Sequence, residues 1–327
     1  MKKYYRLTGI IILIFILTRI DYRLMAAQLS RINTLLFLLI NFLLLPAIFF
    51  KALRWNSLLK TQGVEYPFRD ALASYLGAIF AGIVTPGRVG EFTKAVYLKN
   101  EKDVPFAKSL ASIALDRVFD LYLLILIGGI GILRIIPEKV NLPLKIIFAV
   151  IFVCLPALFL FKKKFFLKAA SEVYPRGFLK FTSRFLKEKP KEFFSHLNHL
   201  LLHQNVIIPL LLTVIAYGIY FLHNYLLARL LFIPISFTAV VFFIAIVNLA
   251  SILPISIFGI GIRDVSLVYF FSLKGLSQES ALAYSFLHFC SFYFLNGIVC
   301  YFGWALKEKN AATHTKNGRH LSKEKTE

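Results

Sequence analysis

Charge is scarce in this chain. Only 17% of its 327 residues are Asp, Glu, Lys or Arg, while 58% are hydrophobic. A soluble domain carries roughly 25% charged and 45–50% apolar residues. The balance excludes a water-soluble enzyme, because the apolar residues also fall in long runs that a soluble core does not need. Acids are the scarcest charges, 17 against 38 Lys and Arg, which leaves a formal net charge of +21. Cysteine is nearly absent. Cys154, Cys290 and Cys300 sit in apolar runs without Cys-x-x-Cys or Cys/His spacing, so neither a zinc site nor a disulfide framework is indicated. No metal and no other cofactor is expected. The phosphate-loop pattern G-x-x-x-x-G-K-[S/T] is missing, and so is an Asp-x-Asp motif with a nucleotide-binding domain. Disorder is excluded as well, since 34 Phe and 15 Tyr cannot stay solvated.

What is present is a series of apolar runs: Leu7–Leu17, Ile32–Phe50, Val118–Ile136, Leu144–Phe161, Val206–Ile233, Phe237–Leu253, an interrupted stretch to Phe271, and Ala281–Leu306. The longer ones suffice to cross hydrocarbon about 30 Å thick. The first follows Lys2-Lys3 like a signal peptide but lacks a small-residue cleavage site, and reads as an uncleaved span. Roughly three-quarters of the Lys and Arg residues fall in the N-terminal tip, 51–108, 162–191 and the segment after 306. Cytoplasmic flanks of membrane proteins carry such an excess, so both termini are expected in the cytoplasm. The positive charge then meets anionic lipid rather than nucleic acid.

The expected architecture is an all-α, polytopic transmembrane helix bundle in the cytoplasmic membrane, with six to eight spans and broken or re-entrant helices. It occupies 1–306, and 307–327 reads as a disordered cytoplasmic tail. Eight crossings follow if 71–84 and 257–271 both cross; six follow if they re-enter. The basic segment 162–205 is expected to be a cytoplasmic connector. Phe193, Phe194, Leu197, Leu200 and Leu201 recur there at helical spacing, which suits either an amphipathic helix in the headgroup layer or a solvated connector.

Two runs are broken. Ala71–Val84 is too short to span alone and ends in Thr85-Pro86-Gly87-Arg88-Val89-Gly90-Glu91, followed by Lys94. Pro86, Gly87 and Gly90 make a continuous helix improbable there. Irregular backbone at membrane depth persists only inside protein or beside a wet cavity. A helix restarting near Gly87 would put Arg88, Glu91 and Lys94 at successive i, i+3 positions and aim its N–H groups at a phosphate. The second break, Leu253 to Asp264, joins Pro254, Gly259 and Gly261 to Arg263-Asp264. The unequal spacings support an internal repeat only weakly. Between the breaks, Asp116 and Asp120 share a helix face with Arg117 beside Asp120 at i+3, and Arg54, just past the second run, reads either as an anchor at the inner interface or as part of this charged group. Charges in such places are costly and face a bundle interior. They either pair into a neutral clasp or hold a headgroup, arginine being suited to bidentate phosphate binding. His223 and His288 read as packed polar groups.

The elements Arg-Trp-x-x-Leu-Leu (Arg54 to Leu59), Thr-Pro-Gly-Arg-x-Gly-Glu-x-x-Lys (Thr85 to Lys94), Asp-Arg-x-x-Asp (Asp116 to Asp120) and Leu-Pro-x-Ser-x-x-Gly-x-Gly-x-Arg-Asp (Leu253 to Asp264) occur in that order. Together they resemble the lysylphosphatidylglycerol synthase transmembrane region, the flippase-like integral membrane family, over about residues 5–305. Asp116 and Asp264 stand where Glu is common in that pattern. The resemblance implies movement of an anionic or aminoacylated phospholipid, or of a polyprenyl-phosphate lipid, across the membrane. It also implies that aminoacyl transfer belongs to a separate soluble domain, for which the residues after 306 are too few. Membrane lipids are the expected partners, with a separate lipid synthase or glycosyltransferase as a further one. The alternatives are a membrane-embedded glycosyl or aminoacyl transferase using Asp116 and Asp120, or a non-catalytic partner of such an enzyme.

Overall fold

The computed structural model describes residues 22–135, 190–203, 206–252 and 260–307, without the Arg88 side chain. The expected spans at 7–17 and 144–161, most of the connector, Pro254, Gly259 and the tail after Lys307 lie outside the described residues. All regular elements among the described residues are helical. They are α1 (Tyr22–Ser30), α2 (Thr34–Asn41), α3 (Leu44–Thr61), α4 (Phe68–Val84), a 3-10 turn (Pro86–Phe92), α5 (Thr93–Lys102), α6 (Phe106–Ile135), α7 (Pro190–Leu202), α8 (Ile207–Leu230), α9 (Phe237–Ile252), α10 (Ile262–Ser272) and α11 (Gln278–Phe289). The last helix continues through a π-helical stretch, Cys290–Leu295, to Lys307.

Among the described residues, four stretches are long and apolar enough to cross a membrane: Thr34–Thr61, Phe106–Ile135, Ile207–Leu230 and Gln278–Lys307. Large apolar side chains lie exposed along them, among them Leu35, Leu39 and Phe42, then Ile208, Leu211 and Ile215, then Phe294 and Phe302. A water-soluble bundle would bury such rows; a bilayer solvates them. α6 starts a dozen residues earlier than its apolar run. Pro105 opens it, accepting from the Lys108 and Ser109 amides at 3.0 Å, and its first turns carry charges that hydropathy alone reads as flank.

α4, the 3-10 turn and α5 form a hairpin that returns to the end where it began. Tyr66, just before α4, donates to Glu101 Oε2 at the end of α5 at 2.9 Å. The chain can fold back because Gly90 sits on the Ala81 carbonyl, where any Cβ would overlap it. Thr85 Oγ1 accepts from the Gly90 amide at 2.7 Å and closes the turn. The restart expected at Gly87 is therefore a tight 3-10 turn, and the α-helix proper begins at Thr93.

α9 and α10 form a second hairpin, and the two halves of the chain correspond, at one offset through the hairpins and at one three residues larger from the end of each hairpin through the long helix that follows it. Gly63, at φ 68°, answers to Phe232, at φ 57°. The amide of Val64 bonds to Leu59 O at 2.9 Å, and that of Ile233 to Ala228 O at 3.0 Å, the same helix-ending turn twice. α4 has 17 residues and α9 16; α5 has 10 and α10 11. The left-handed Asp103 then answers to Gly275, and each is followed by a helical stretch of 30 residues. In this register Lys94 matches Arg263, both second in their return helices.

The halves are inverted. α6 leaves the base of the first hairpin, where Gln62 Nε2 donates to Lys108 O at 3.2 Å, and packs Gly128 and Gly131 against Ile246 and Phe242 of α9. The last helix runs oppositely. It leaves the base of the second hairpin and ends at the first, where Lys307 Nζ meets Tyr66 Oη at 2.9 Å and Glu101 Oε2 at 2.7 Å. The hairpins thus enter from opposite ends of the bundle. One large cluster around Phe243, Leu267, Phe271 and Tyr284 fills the second half. A second, around Trp55, Tyr75 and Leu98, fills the first.

The apolar face of α7 is covered by protein rather than headgroups. Phe193, Phe194, Leu197 and Leu200 are buried with Leu58, Leu110, Ala111 and Leu115 in a third cluster.

Candidate functional site

The site grows from α6. Asp116 and Asp120 stand one turn apart, so both carboxylates face α3, α5 and α8. Arg54 reaches them from α3 with both prongs of its guanidinium. Its Nε donates to Asp116 Oδ1 at 2.8 Å, and its Nη1 donates to Asp120 Oδ1 at 2.8 Å and to Thr213 Oγ1 of α8 at 2.9 Å. Lys94 Nζ, from α5, donates to Asp116 Oδ2 at 3.0 Å and lies 4.4 Å from the centre of the Tyr75 ring. Tyr75 Oη donates to the same oxygen at 3.3 Å. Arg54, Lys94 and Asp116 are sealed, with side-chain exposures of 0%, 1% and 0%. Buried ions survive only when paired, and each of these is.

Two other cations close the cluster from its open side. Arg117 pairs with Glu91 at the end of the 3-10 turn and approaches Asp120 Oδ2 at 3.5 Å. Lys51 Nζ lies 3.4 Å from Asp120 Oδ2 and 4.2 Å from the centre of the Tyr217 ring. Their side chains are 32% and 23% exposed, whereas those of Glu91 and Asp120 are 8%. The accessible part of the cluster is therefore cationic, and it lies beside the turn of the first hairpin.

The second hairpin carries its own group. Gly261, at φ 89°, donates its amide to Asp264 Oδ2 at 2.8 Å and so starts α10. Arg263 Nε donates to Ser285 Oγ at 2.8 Å, and its Nη2 lies 3.1 Å from Asp264 Oδ1, an oxygen that also accepts from Ser285. Arg263 Nη1 is buried with no hydrogen-bond partner among the described residues. Nearby, Asn248 Nδ2 donates to Tyr220 Oη at 3.3 Å, and Tyr220 Oη lies 3.1 Å from His288 Nε2. His223 Nε2 lies 3.3 Å from Asn41 Oδ1.

The residues read from the sequence thus divide. Arg54, Glu91, Lys94, Asp116, Arg117 and Asp120 come together in one cluster; Arg263 and Asp264 form a separate group. Lys51, Tyr75, Thr213 and Tyr217 complete the first cluster and were not singled out by sequence. Lys51 carried a signal, since it stands one turn before Arg54 on α3. Between the two halves the fold aligns Lys94 with Arg263.

Fold and cluster define a membrane-embedded helical bundle with two opposed hairpins and a buried ion network built around the first of them. The chain belongs to the family described as lysylphosphatidylglycerol synthase TM region, whose model matches residues 6–299. A stretch of 84 residues, 24% of the chain, is 29% identical to glycosyltransferase AglD of Haloferax volcanii. The match spans only 13% of that protein's length. No solved structure matches the chain.

Proposed function

We propose that this protein binds the phosphate-bearing headgroup of a membrane lipid between its two hairpins and moves the lipid from one leaflet to the other. The observation that carries the reading is the partly open Arg117, with Lys51, standing over the sealed carboxylates of a bundle whose outer faces suit lipid. The barrier to lipid crossing is the headgroup's loss of water, and fixed cations at that depth replace part of its hydration. Opposed hairpins whose broken turns meet near mid-bundle recur in secondary transporters, where one half rocks against the other around such a site. Arg88 in the turn of the first hairpin and Arg263 at the start of α10 are the further phosphate ligands in this reading. Arg54 and Lys94 hold the acids in place. The chain lacks a phosphate loop, so movement runs downhill or is coupled to an ion.

With both hairpins re-entrant, the four long stretches and the runs at 7–17 and 144–161 make six crossings with both termini inside. The end bearing Lys60, Lys99, Lys102 and Lys307 then faces the cytoplasm, as the positive-inside rule requires, and the membrane is the cytoplasmic one. Protein reconstituted in liposomes with a headgroup-labelled phospholipid tests the proposal. Label should cross faster than in protein-free vesicles, and equal rates would refute it. A companion role beside a glycosyltransferase is favoured by the match to glycosyltransferase AglD. Co-purification of such an enzyme would support that role without replacing the first.

A further inference from the structure

We infer that the headgroup taken between the hairpins carries net negative charge, a phosphate or phosphodiester bearing uncharged hydroxyl groups, and that a lipid with an added ammonium group is disfavoured. The inference rests on the lipid-binding reading and narrows its substrate class.

The argument is an account of carboxylates. A cationic headgroup needs an acid that the protein has not already used. Asp116 is taken by Arg54, Lys94 and Tyr75, and Asp120 by Arg54, Lys51 and Arg117. Glu91 is taken by Arg117, and Asp264 by Arg263, Ser285 and the Gly261 amide. The first cluster sets the cations Lys51, Arg54, Lys94 and Arg117 against the acids Glu91, Asp116 and Asp120, one charge in excess among the described residues. The cations, not the acids, hold the exposed positions. An ammonium brought there would lose water, face like charge, and find no unused carboxylate among the described residues of the cluster.

The inverted repeat sharpens the contrast. At the register of Asp116 and Asp120 the second half has His288 and Phe292, and at that of Arg117 it has Phe289. It keeps the cation, Arg263 for Lys94, and has no acid at the place of Asp116, which pairs Lys94; the neighbouring Asp264 pairs Arg263 instead. The guanidinium is left with Nη1 unpartnered among the described residues. The same half also holds a polar network in which Tyr220 bonds with Asn248 and His288 at 3.1–3.4 Å. Groups of this kind recognise hydroxyls, and sites built to bond a hydroxyl discriminate strongly for it.

Purified protein in nanodiscs, examined by native mass spectrometry, tests this with phosphatidylglycerol, phosphatidylethanolamine and lysyl-phosphatidylglycerol of identical acyl chains. Phosphatidylglycerol should be retained about tenfold or more over the lysyl lipid, equivalent to about 1.4 kcal/mol per tenfold. The paired variant Lys51→Gln/Arg117→Gln should narrow the ratio. Equal retention, or preference for the lysyl lipid, overturns the inference even if the protein moves lipid in liposomes, in which case translocation stands and the headgroup assignment falls. Preference for phosphatidylglycerol without lipid crossing leaves the assignment standing and removes translocation. Retention of none of the three refutes both.

Discussion

Lys94 and Arg263 occupy the same place in the two halves of the molecule and have opposite surroundings. Lys94 is closed off by Asp116 at 3.0 Å, while Arg263 shares Asp264 with Ser285 and keeps one nitrogen without a partner among the described residues. Each half places its cation second in the return helix of its hairpin. The partner acid comes from α6 in the first half and from the adjacent residue in the second, and the second group is the less fully paired of the two.

Arg54 is the keystone of that anchor. Arg54→Ala leaves Asp116 and Asp120 short of their principal partner inside the bundle, and removing one member of a buried ion pair costs roughly 3–5 kcal/mol. Thermal unfolding in detergent should show the loss, and Arg54→Lys should recover only part of it, since an ammonium cannot span both carboxylates. Wild-type stability in the alanine variant would contradict the geometry.

The first hairpin turns because residue 90 has no side chain. Gly90→Ala places a Cβ in the Ala81 carbonyl and should open the turn, lowering the melting temperature and exposing 81–92 to proteolysis. Gly218→Ala, with nothing within 4 Å of the added carbon, should leave both unchanged. Equal behaviour of the two variants would be incompatible with the fold.

The outlines of this arrangement were readable in the sequence; its symmetry was only weakly so. Periodicity and charge located the helices, and the i, i+4 spacing of Asp116 and Asp120 put them on one face. Lys51 was absorbed into the count of cytoplasmic cations, although its place one turn before Arg54 made it a member of the cluster. The repeat showed only weakly, in the shared Pro, Gly, Arg and acid of the two breaks, because the halves share geometry more than residue type. Gly63 answers to Phe232, Asp103 to Gly275 and Asp116 to His288, and only a backbone shows that these positions are the same. The apolar stripe of α7 was legible too, but a stripe does not say whether lipid or protein covers it.

Burial, and Lys108 after it, hold the His196 imidazole on α7 below its ordinary value of 6.5. The docked state favours the neutral ring. The stabilisation it contributes is present above that value and is lost as pH falls through it towards the lowered one. Hydrogen exchange in 190–202 should therefore speed up more than the intrinsic rate explains between pH 7.5 and 5.5, and His196→Gln should abolish the difference. A pH-independent protection in the wild type would contradict the docking of α7 on α6.

Lys307 ties the end of the last helix to the first hairpin through Tyr66 and Glu101, and burial keeps the Tyr66 phenol protonated well above its usual range. Lys307→Gln should loosen that end by about 1–3 kcal/mol, the cost of leaving buried partners unsatisfied. Faster exchange at 300–307 with α6 unaffected is the expected signature.

The most direct test of the central claim is photo-crosslinking with a phospholipid whose headgroup carries the reactive group. Adducts should map to the peptides bearing Lys51 and Arg117, between the hairpins, and should disappear in Arg117→Gln. Labelling confined to the outer faces of α2 and α8, unchanged in that variant, would show that the headgroup never enters the bundle.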